Sequence, residues 1–201
     1  MKIIEPRGEW LEKVVEVLER GGTIIYPTDT AYALGADAKN EDAIKKVFEI
    51  KKRPKEKNLT IAVSSKEMLR KYAEIEGKME NLVWKFYPGP ITFIFKKTEH
   101  VSDVLSISGI GIRIPKNEIA LKIIGSFERA ITATSANISG KETPYSYEKC
   151  VKTADLFVDV GKLDETLPST IIDLRAESPI LVRDGPVSFE KFLKTWKLSM
   201  C

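Results

Sequence analysis

The sequence predicts a single α/β domain of α+β-like character, built on a twisted sheet of mixed parallel and antiparallel strands flanked by helices. Three observations carry this. The chain has 201 residues, 43% of them hydrophobic and 30% charged, which is enough for one sizeable core and a tight fit for two. Helix-periodic and strand-like segments interleave, but without the strict βαβ alternation that gives an all-parallel sheet. No repeat, low-complexity stretch or linker divides the chain, so residues 1–201 read as one domain.

Leu11, Val14, Val15 and Leu18 recur at helical spacing, with Trp10 and Val17 beside them, until Gly21-Gly22 ends the helix. The strand TIIY follows at once. Asn40 is a cap for a second helix, with Glu41 and Asp42 in its first turn and Ala43, Val47 and Phe48 on one face, ending near Arg53-Pro54. NLTIAVSS forms the next strand, and Ser65 caps a helix over KEMLRKYAEI. A further helix over residues 80–87 is closed by YPGP, after which ITFIFKK alternates as a strand. GIGIRIP is a strand, EIALKIIGSF a helix and AITATS a strand. ADLFVDVG, STIIDL and PILVRDG supply three more strands before the helix SFEKFLKTWKL.

Composition narrows the chemistry. No apolar run approaches the roughly 20 residues that cross a bilayer, and the N-terminus MKIIEPRGEW lacks a signal-peptide core, so a soluble, cytoplasmic protein without a membrane partner is expected. Cys150, Cys201 and the single histidine, His100, make neither a disulfide framework nor a metal cluster, and no metal ligands are assigned. The net charge of +3 accommodates an anionic ligand without demanding one. There is no GxGxxG and no GxxxxGK followed by Ser or Thr, so neither a Rossmann nor a P-loop nucleotide site is indicated. Trp84, Phe86, Tyr87, Phe93 and Phe95 read as core and not as a base-stacking platform.

In open α/β sheets, ligands gather outside the ends of strands. Four segments have that character. Thr28-Asp29-Thr30 follows TIIY. IKKRPKEKN crowds Lys51, Lys52, Arg53, Lys55 and Lys57 where a helix gives way to a strand. These cations either hold phosphates, Arg53 bidentately, or form a solvated helix end that complements the dipole. TATSANISGKETP either lets a ligand approach its backbone past small side chains or is a polar turn closed by its own hydroxyls. LPSTIIDL and ILVRDGPVS place Ser169, Thr170 and Arg183 near strand ends. With no Ser-His-Asp set and no activated cysteine, the four together point to ligand positioning and charge stabilisation over covalent catalysis.

Taken in order, YPTDTAYALG, the KKRP of Lys51 to Pro54, YPGPITFI, GIRIP, TSANISG and STIIDL…LVRDGP resemble the YrdC-like family of threonylcarbamoyl-AMP synthases in its short, single-domain form, over about residues 21–183. The resemblance implies a YrdC-like fold with a concave basic crevice. It implies a nucleotidyltransferase that condenses L-threonine, bicarbonate or CO2 and ATP, with Mg²⁺ assisting, to threonylcarbamoyl-AMP and pyrophosphate, for threonylcarbamoyladenosine in tRNA. Thr30, Arg113, Ala133 through its backbone, and Ser169 would surround L-threonine. Arg53, Lys57, Gly109, Ser135, Asn137, Thr143 and Arg183 would face ATP, with Lys51 and Arg53 as the catalytic cations that hold the triphosphate and its developing charge. Arg113 suits a bidentate grip on the amino acid's carboxylate. Asp29 either caps its own turn or orients a partner. Asp29, Ala31 and Ala33 depart from the family's commonest wording, and Ala62 stands where some long-form members have a histidine.

Two rivals stand beside this reading. The same cations would serve a double-stranded RNA-binding or ribosome-associated module, whose phosphate contacts weaken steeply with salt; the small net charge ranks it second. A sister branch shares the PTD…YALG wording but loses the Lys-x-Arg-Pro and Ser-Ala-Asn signatures, and this chain keeps both. The resemblance also implies tRNA and a downstream threonylcarbamoyl-transfer complex as partners.

Overall fold

The strands sort into two mixed sheets instead of the single one expected. The computed structural model describes residues 1–200, so Cys201 lies outside the described residues. In chain order the strands are β1 (Lys2–Ile4), β2 (Ile24–Pro27), β3 (Tyr32–Gly35), β4 (Thr60–Ala62), β5 (Ile91–Phe95), β6 (Ile110–Arg113), β7 (Ile131–Thr132), β8 (Thr134–Ser135), β9 (Leu156–Val158), β10 (Thr170–Asp173) and β11 (Ile180–Arg183). The helices are α1 (Trp10–Glu19), α2 (Glu41–Lys51), α3 (Lys66–Tyr72), α4 (Gly77–Val83), α5 (Glu118–Phe127) and α6 (Phe189–Met200). One sheet runs β1-β9-β2-β3-β8 and the other β11-β10-β5-β6-β4-β7. Both combine parallel pairs (β2 with β9, β5 with β10) and antiparallel ones (β2 with β3, β5 with β6), so the mixed pairing is as expected.

The split has its cause at Ala133. AITATS reads as one strand, yet Ile131 and Thr132 pair with β4 in one sheet while Thr134 and Ser135 pair with β3 in the other. Between them, the Ala133 N–H donates to the Thr60 carbonyl at 2.8 Å. A period-2 pattern records which residues face a core, not which neighbour takes the hydrogen bonds, so the change of sheet leaves no mark in the sequence.

Two strands escaped the sequence reading. β1 is three residues long, and its side chains are largely exposed. β3 is YALG, which folds back antiparallel on β2, so the PTDT segment is the turn of a hairpin. The hydroxyls and the carboxylate are therefore the tip of a ribbon buried on both strands. α4 starts and ends about a turn earlier than expected, leaving Trp84 to Tyr87 as the approach to Pro88.

Local capping follows the sequence closely. The Asn40 side chain accepts from the N–H groups of Asp42 and Ala43, and the Ser65 hydroxyl accepts from Met68 N–H. α2 buries Ala43, Ile44, Val47 and Phe48, each fully buried aliphatic contributing about 1.5–3 kcal/mol, and one turn further it buries Lys51 as well. Its end is sharp because Lys52 takes a left-handed conformation at φ 47°, which turns Arg53 away from the helix axis. Phe93 of β5 packs on Phe192 of α6 at 5.4 Å between ring centroids and on Tyr87 at 5.3 Å, so these aromatics are core, as expected. No helix of the described residues is long and apolar enough to cross a membrane.

Candidate active site

Both sheets contribute to one cavity of about 360 Å³. The β2–β3 turn forms its first wall. Thr28 closes that turn: its hydroxyl donates to the Ala31 carbonyl at 2.7 Å and accepts from the N–H groups of Thr30 and Ala31 at 3.2 Å each. The Thr30 hydroxyl lies 3.2 Å from that of Thr28 and also faces Arg113, which reaches over from β6. The Arg113 Nη1 donates to Thr30 Oγ1 at 3.0 Å and its Nη2 to Asp29 Oδ1 at 2.5 Å. The arginine and aspartate side chains are only 7% and 11% exposed, so this is a buried ion pair. Asp29 thus orients a partner and does not merely cap its own turn. The pair is incompletely satisfied, since Asp29 Oδ2 and Arg113 Nε have no partner among the described residues.

The second wall is the loop after β8. Lys51 is 1% exposed, and its ammonium donates to the carbonyls of Ser135 and Asn137 (2.8 Å to the latter) and to Asn137 Oδ1 at 3.3 Å. An ammonium has three donors, and all three are engaged by this loop. Burial first, and the charge of Arg53 second, lower the Lys51 pKa from 10.5 to about 8. Asn137 completes the knot: it accepts from the Ser135 hydroxyl at 2.6 Å, and its amide donates to the carbonyls of Lys141 and Glu142 at 2.7 and 2.9 Å. The Ser139 N–H returns to the Lys51 carbonyl at 2.9 Å, while the buried Ser139 hydroxyl has no partner among the described residues.

Two further arginines are anchored by backbone oxygens. Arg53 donates from Nε to the Lys57 carbonyl at 3.1 Å and from Nη2 to Asn58 at 2.7 Å, and burial lowers its pKa. Arg183 of β11 donates from Nε to the Ser169 carbonyl at 2.9 Å and from Nη2 to the Ser169 hydroxyl at 3.0 Å. Burial of its guanidinium and then the nearby Arg113 charge lower its pKa too, although the residue as a whole is exposed. The lining includes Lys51, Arg53, Lys57, Arg113, Lys141 and Arg183, and no aspartate or glutamate.

Of the residues named from sequence, Thr30, Lys51, Arg53, Lys57, Arg113, Ala133, Ser135, Asn137, Thr143, Ser169 and Arg183 all line this cavity. Gly109 does not. It precedes β6 with φ +149°, and a Cβ there would meet Arg175 Cδ at 2.7 Å, so backbone conformation and packing account for the glycine. Thr60 and Thr92 line the cavity and were missed, while Ser139 and Lys141, also in its lining, belong to the TATSANISGKETP segment read from the sequence. Only Thr92 carried a signal, as a hydroxyl inside the otherwise apolar ITFIF; it is 2% exposed and 3.0 Å from the Ser169 hydroxyl.

A family model for Sua5, YciO and YrdC proteins, described as telomere recombination, matches residues 16–185. The chain belongs to the Sua5/YciO/YrdC family. A relative in that family from Methanocaldococcus jannaschii, provisionally named threonylcarbamoyl-AMP synthase, is 37% identical over 204 residues, covering 96% of each chain. The threonylcarbamoyl-AMP synthase of Pyrococcus abyssi is 38% identical over 194 residues, 92% of this chain and 57% of that protein. The crystal structure of P. abyssi Sua5 complexed with L-threonine matches this chain with a TM-score of 0.89 at 36% identity, covering 96% of this chain and 60% of that one. The chain thus spans well under two thirds of the P. abyssi family member.

Proposed function

We propose that this chain is a threonylcarbamoyl-AMP synthase, a nucleotidyltransferase. It condenses L-threonine, bicarbonate or CO2 and Mg²⁺-bound ATP into threonylcarbamoyl-AMP and pyrophosphate, the activated group for threonylcarbamoyladenosine in tRNA. One observation carries the reading: the buried Arg113–Asp29–Thr30 set and the anchored cations Arg53 and Arg183 share one cavity, in a chain whose relatives bear that name.

The chemistry follows from the parts. The neutral amine of threonine adds to CO2 and loses a proton to solvent, giving an N-carboxylate; its oxygen attacks the α-phosphorus, the bond to the β-phosphate bridging oxygen breaks, and pyrophosphate leaves with the electron pair. Negative charge builds on phosphoryl oxygens throughout, so fixed cations lower the barrier. Arg53, Lys57 and Arg183 keep donors for the triphosphate, Ser135 and Thr143 hydroxyls face the nucleotide, and Asn137 shapes their loop. Lys51 acts differently from a phosphate hook: with its three donors engaged, it contributes its charge and holds the Ser135–Asn137 loop in place. Threonine takes the other end, with its carboxylate on Arg113 and its polar groups near Thr30, the Ala133 backbone and Ser169. The unpartnered Arg113 Nε and Ser139 hydroxyl are buried donors that a ligand would complete. The lining has no carboxylate, and no group of three His, Cys, Asp or Glu among the described residues could hold a metal ion. The protein's own side chains therefore do not fit a resident divalent cation, and Mg²⁺ enters on the phosphates of its substrate.

The test is direct. Protein incubated with ATP, Mg²⁺, bicarbonate and labelled threonine is expected to release pyrophosphate and form a labelled adenylate. Threonine binding without adenylate formation would overturn the enzymatic reading in favour of a binding module.

A further inference from the structure

We propose that Thr92 is a positioning residue of the amino-acid pocket, whose hydroxyl acts with Arg183 to fill both lone pairs of Ser169 and aim its proton at an anionic oxygen of the ligand. This rests on the proposed threonine and ATP reading of the cavity.

The sheet sets the geometry. Thr92 of β5 is in register with Ile171 of β10, and Ile171 with Arg183 of β11, so the three form one row across neighbouring strands. Residues in register stand on the same face of a sheet, and all three line the cavity. The antiparallel pairing of Phe93 with Ile112 puts Arg113 next to Thr92 in the same row. Ser169 sits one residue before β10 with its hydroxyl over this row, 3.0 Å from Thr92 Oγ1 and 3.0 Å from Arg183 Nη2. Ser169 is 4% exposed, and no other side chain or backbone group among the described residues bonds to its hydroxyl.

Proton bookkeeping then decides the role. A guanidinium only donates, so Arg183 fills one lone pair of the Ser169 oxygen. With Thr92 donating as well, both lone pairs are filled and the Ser169 proton must go to a third partner. In the opposite arrangement Ser169 donates to Thr92 and offers the cavity only a lone pair, which an anionic oxygen cannot use. An anion beside Ser169 selects the first arrangement, because a donor aimed at a charged oxygen is worth more than one shared between neutral hydroxyls. Thr92 thus acts on the ligand through Ser169, without touching it. The Ser169 hydroxyl also steadies Arg183, which joins the amino-acid pocket to the cation that faces the nucleotide.

Thr92→Val removes the hydroxyl at nearly constant shape, and Thr92→Ser restores it. Steady-state adenylate synthesis, with threonine varied at saturating ATP, and calorimetric titration of threonine alone are measured for wild type and both variants. T92V removes the donor that fixes the rotation of the Ser169 hydroxyl, so the threonine KM and Kd are expected to rise about three- to tenfold, at most the size of one hydrogen bond to a charged group, with kcat changed less than about threefold. T92S is expected within about twofold of wild type. Unchanged threonine KM and Kd in T92V overturns the inference, as do equal losses in T92V and T92S, which would mark a packing role. If T92V does not fold, Thr92→Ala carries the same expectation. Wild-type protein that makes no adenylate refutes the proposed function; wild-type activity with an indistinguishable T92V refutes this inference alone.

Discussion

Replacing Gly185 with alanine tests how firmly Ser169 is held. Gly185 follows β11 and crosses the segment leading into β10, where a Cβ would stand 2.4 Å from the Pro168 carbonyl oxygen, 2.5 Å from the Thr170 nitrogen and 2.9 Å from the Ser169 carbonyl carbon. All three neighbours are backbone, so no side chain can swing aside. Real Cβ atoms essentially never come closer than 3.0 Å, and relieving the shortest contact to that limit takes 3.0 − 2.4 = 0.6 Å. That movement falls on the residues that carry the Ser169 hydroxyl and the carbonyl that receives Arg183 Nε. Overpacking of this kind costs about 1–3 kcal/mol. In a chain of this size each kcal/mol lowers Tm by about 2–4 °C, so a loss of roughly 2–12 °C is expected. Misplacing a binding group by about 1 Å reduces kcat/KM by about 100-fold, so a shift of this size should remove about ten- to 100-fold. The assay is adenylate formation with threonine varied, well below both melting temperatures, beside thermal denaturation. A variant with wild-type kcat/KM would refute the reasoning whatever its Tm, because Ser169 would then tolerate displacement.

Three further expectations follow from other parts of the molecule. Gly125 lies inside α5 with nothing within 4 Å of the point where a Cβ would stand, so Gly125→Ala should stabilise the fold by about 0.5–1 kcal/mol, and a lower denaturant midpoint would contradict this. Asp29→Asn leaves Arg113 buried without its counter-charge; a stability loss of about 3 kcal/mol and a raised threonine KM are expected, and denaturation with wild-type stability would exclude a tight pair. Lys51, with its pKa lowered to about 8 from 10.5, binds fewer protons folded than unfolded between those values, so its contribution to stability rises as pH climbs through that window. Its loop clamp runs the other way, since the neutral amine keeps two donors for three oxygens: ATP affinity should fall as pH passes about 8, Lys51→Met should flatten that slope, and a Kd constant from about pH 7 to 9.5 would contradict it.

What the sequence disclosed depended on how local the cause was. Asn40 and Ser65 cap their helices because capping needs only neighbours two or three residues away. The cavity residues were legible as residue types, since hydroxyls and arginines at strand ends have little to do in a core. Their partners were not. Lys51 reads as one cation among five at a helix end, and only the fold shows that its ammonium turns inward to a loop 84 residues away. Thr92 hid in a strand because its alternation fits a sheet whether or not a hydroxyl waits opposite. Gly109 went the other way: the family resemblance placed it toward ATP, whereas it lies outside the cavity lining and its φ of +149° and the neighbouring Arg175 account for the glycine. β3 was lost because Ala33 and Gly35 have weak strand propensity, and pairing with β2 and β8 overrides it.

The cations of this cavity share a construction that bears on how the site works. Arg53 is tied to two carbonyls, Arg183 to the carbonyl and hydroxyl of Ser169, Arg113 to Asp29 and Thr30, and Lys51 to the loop of Ser135 and Asn137. Each guanidinium uses two of its nitrogens in this way and keeps the rest of its fork unspent. Only Arg113 has a carboxylate partner; the others are held by neutral oxygens, which fix position without cancelling charge. Burial then works against the charged forms, as the lowered pKa values of Lys51, Arg53 and Arg183 record. On the proposed reading, an arriving triphosphate relieves that penalty and meets donors that need not reorganise, so binding energy and transition-state stabilisation draw on the same fixed charges.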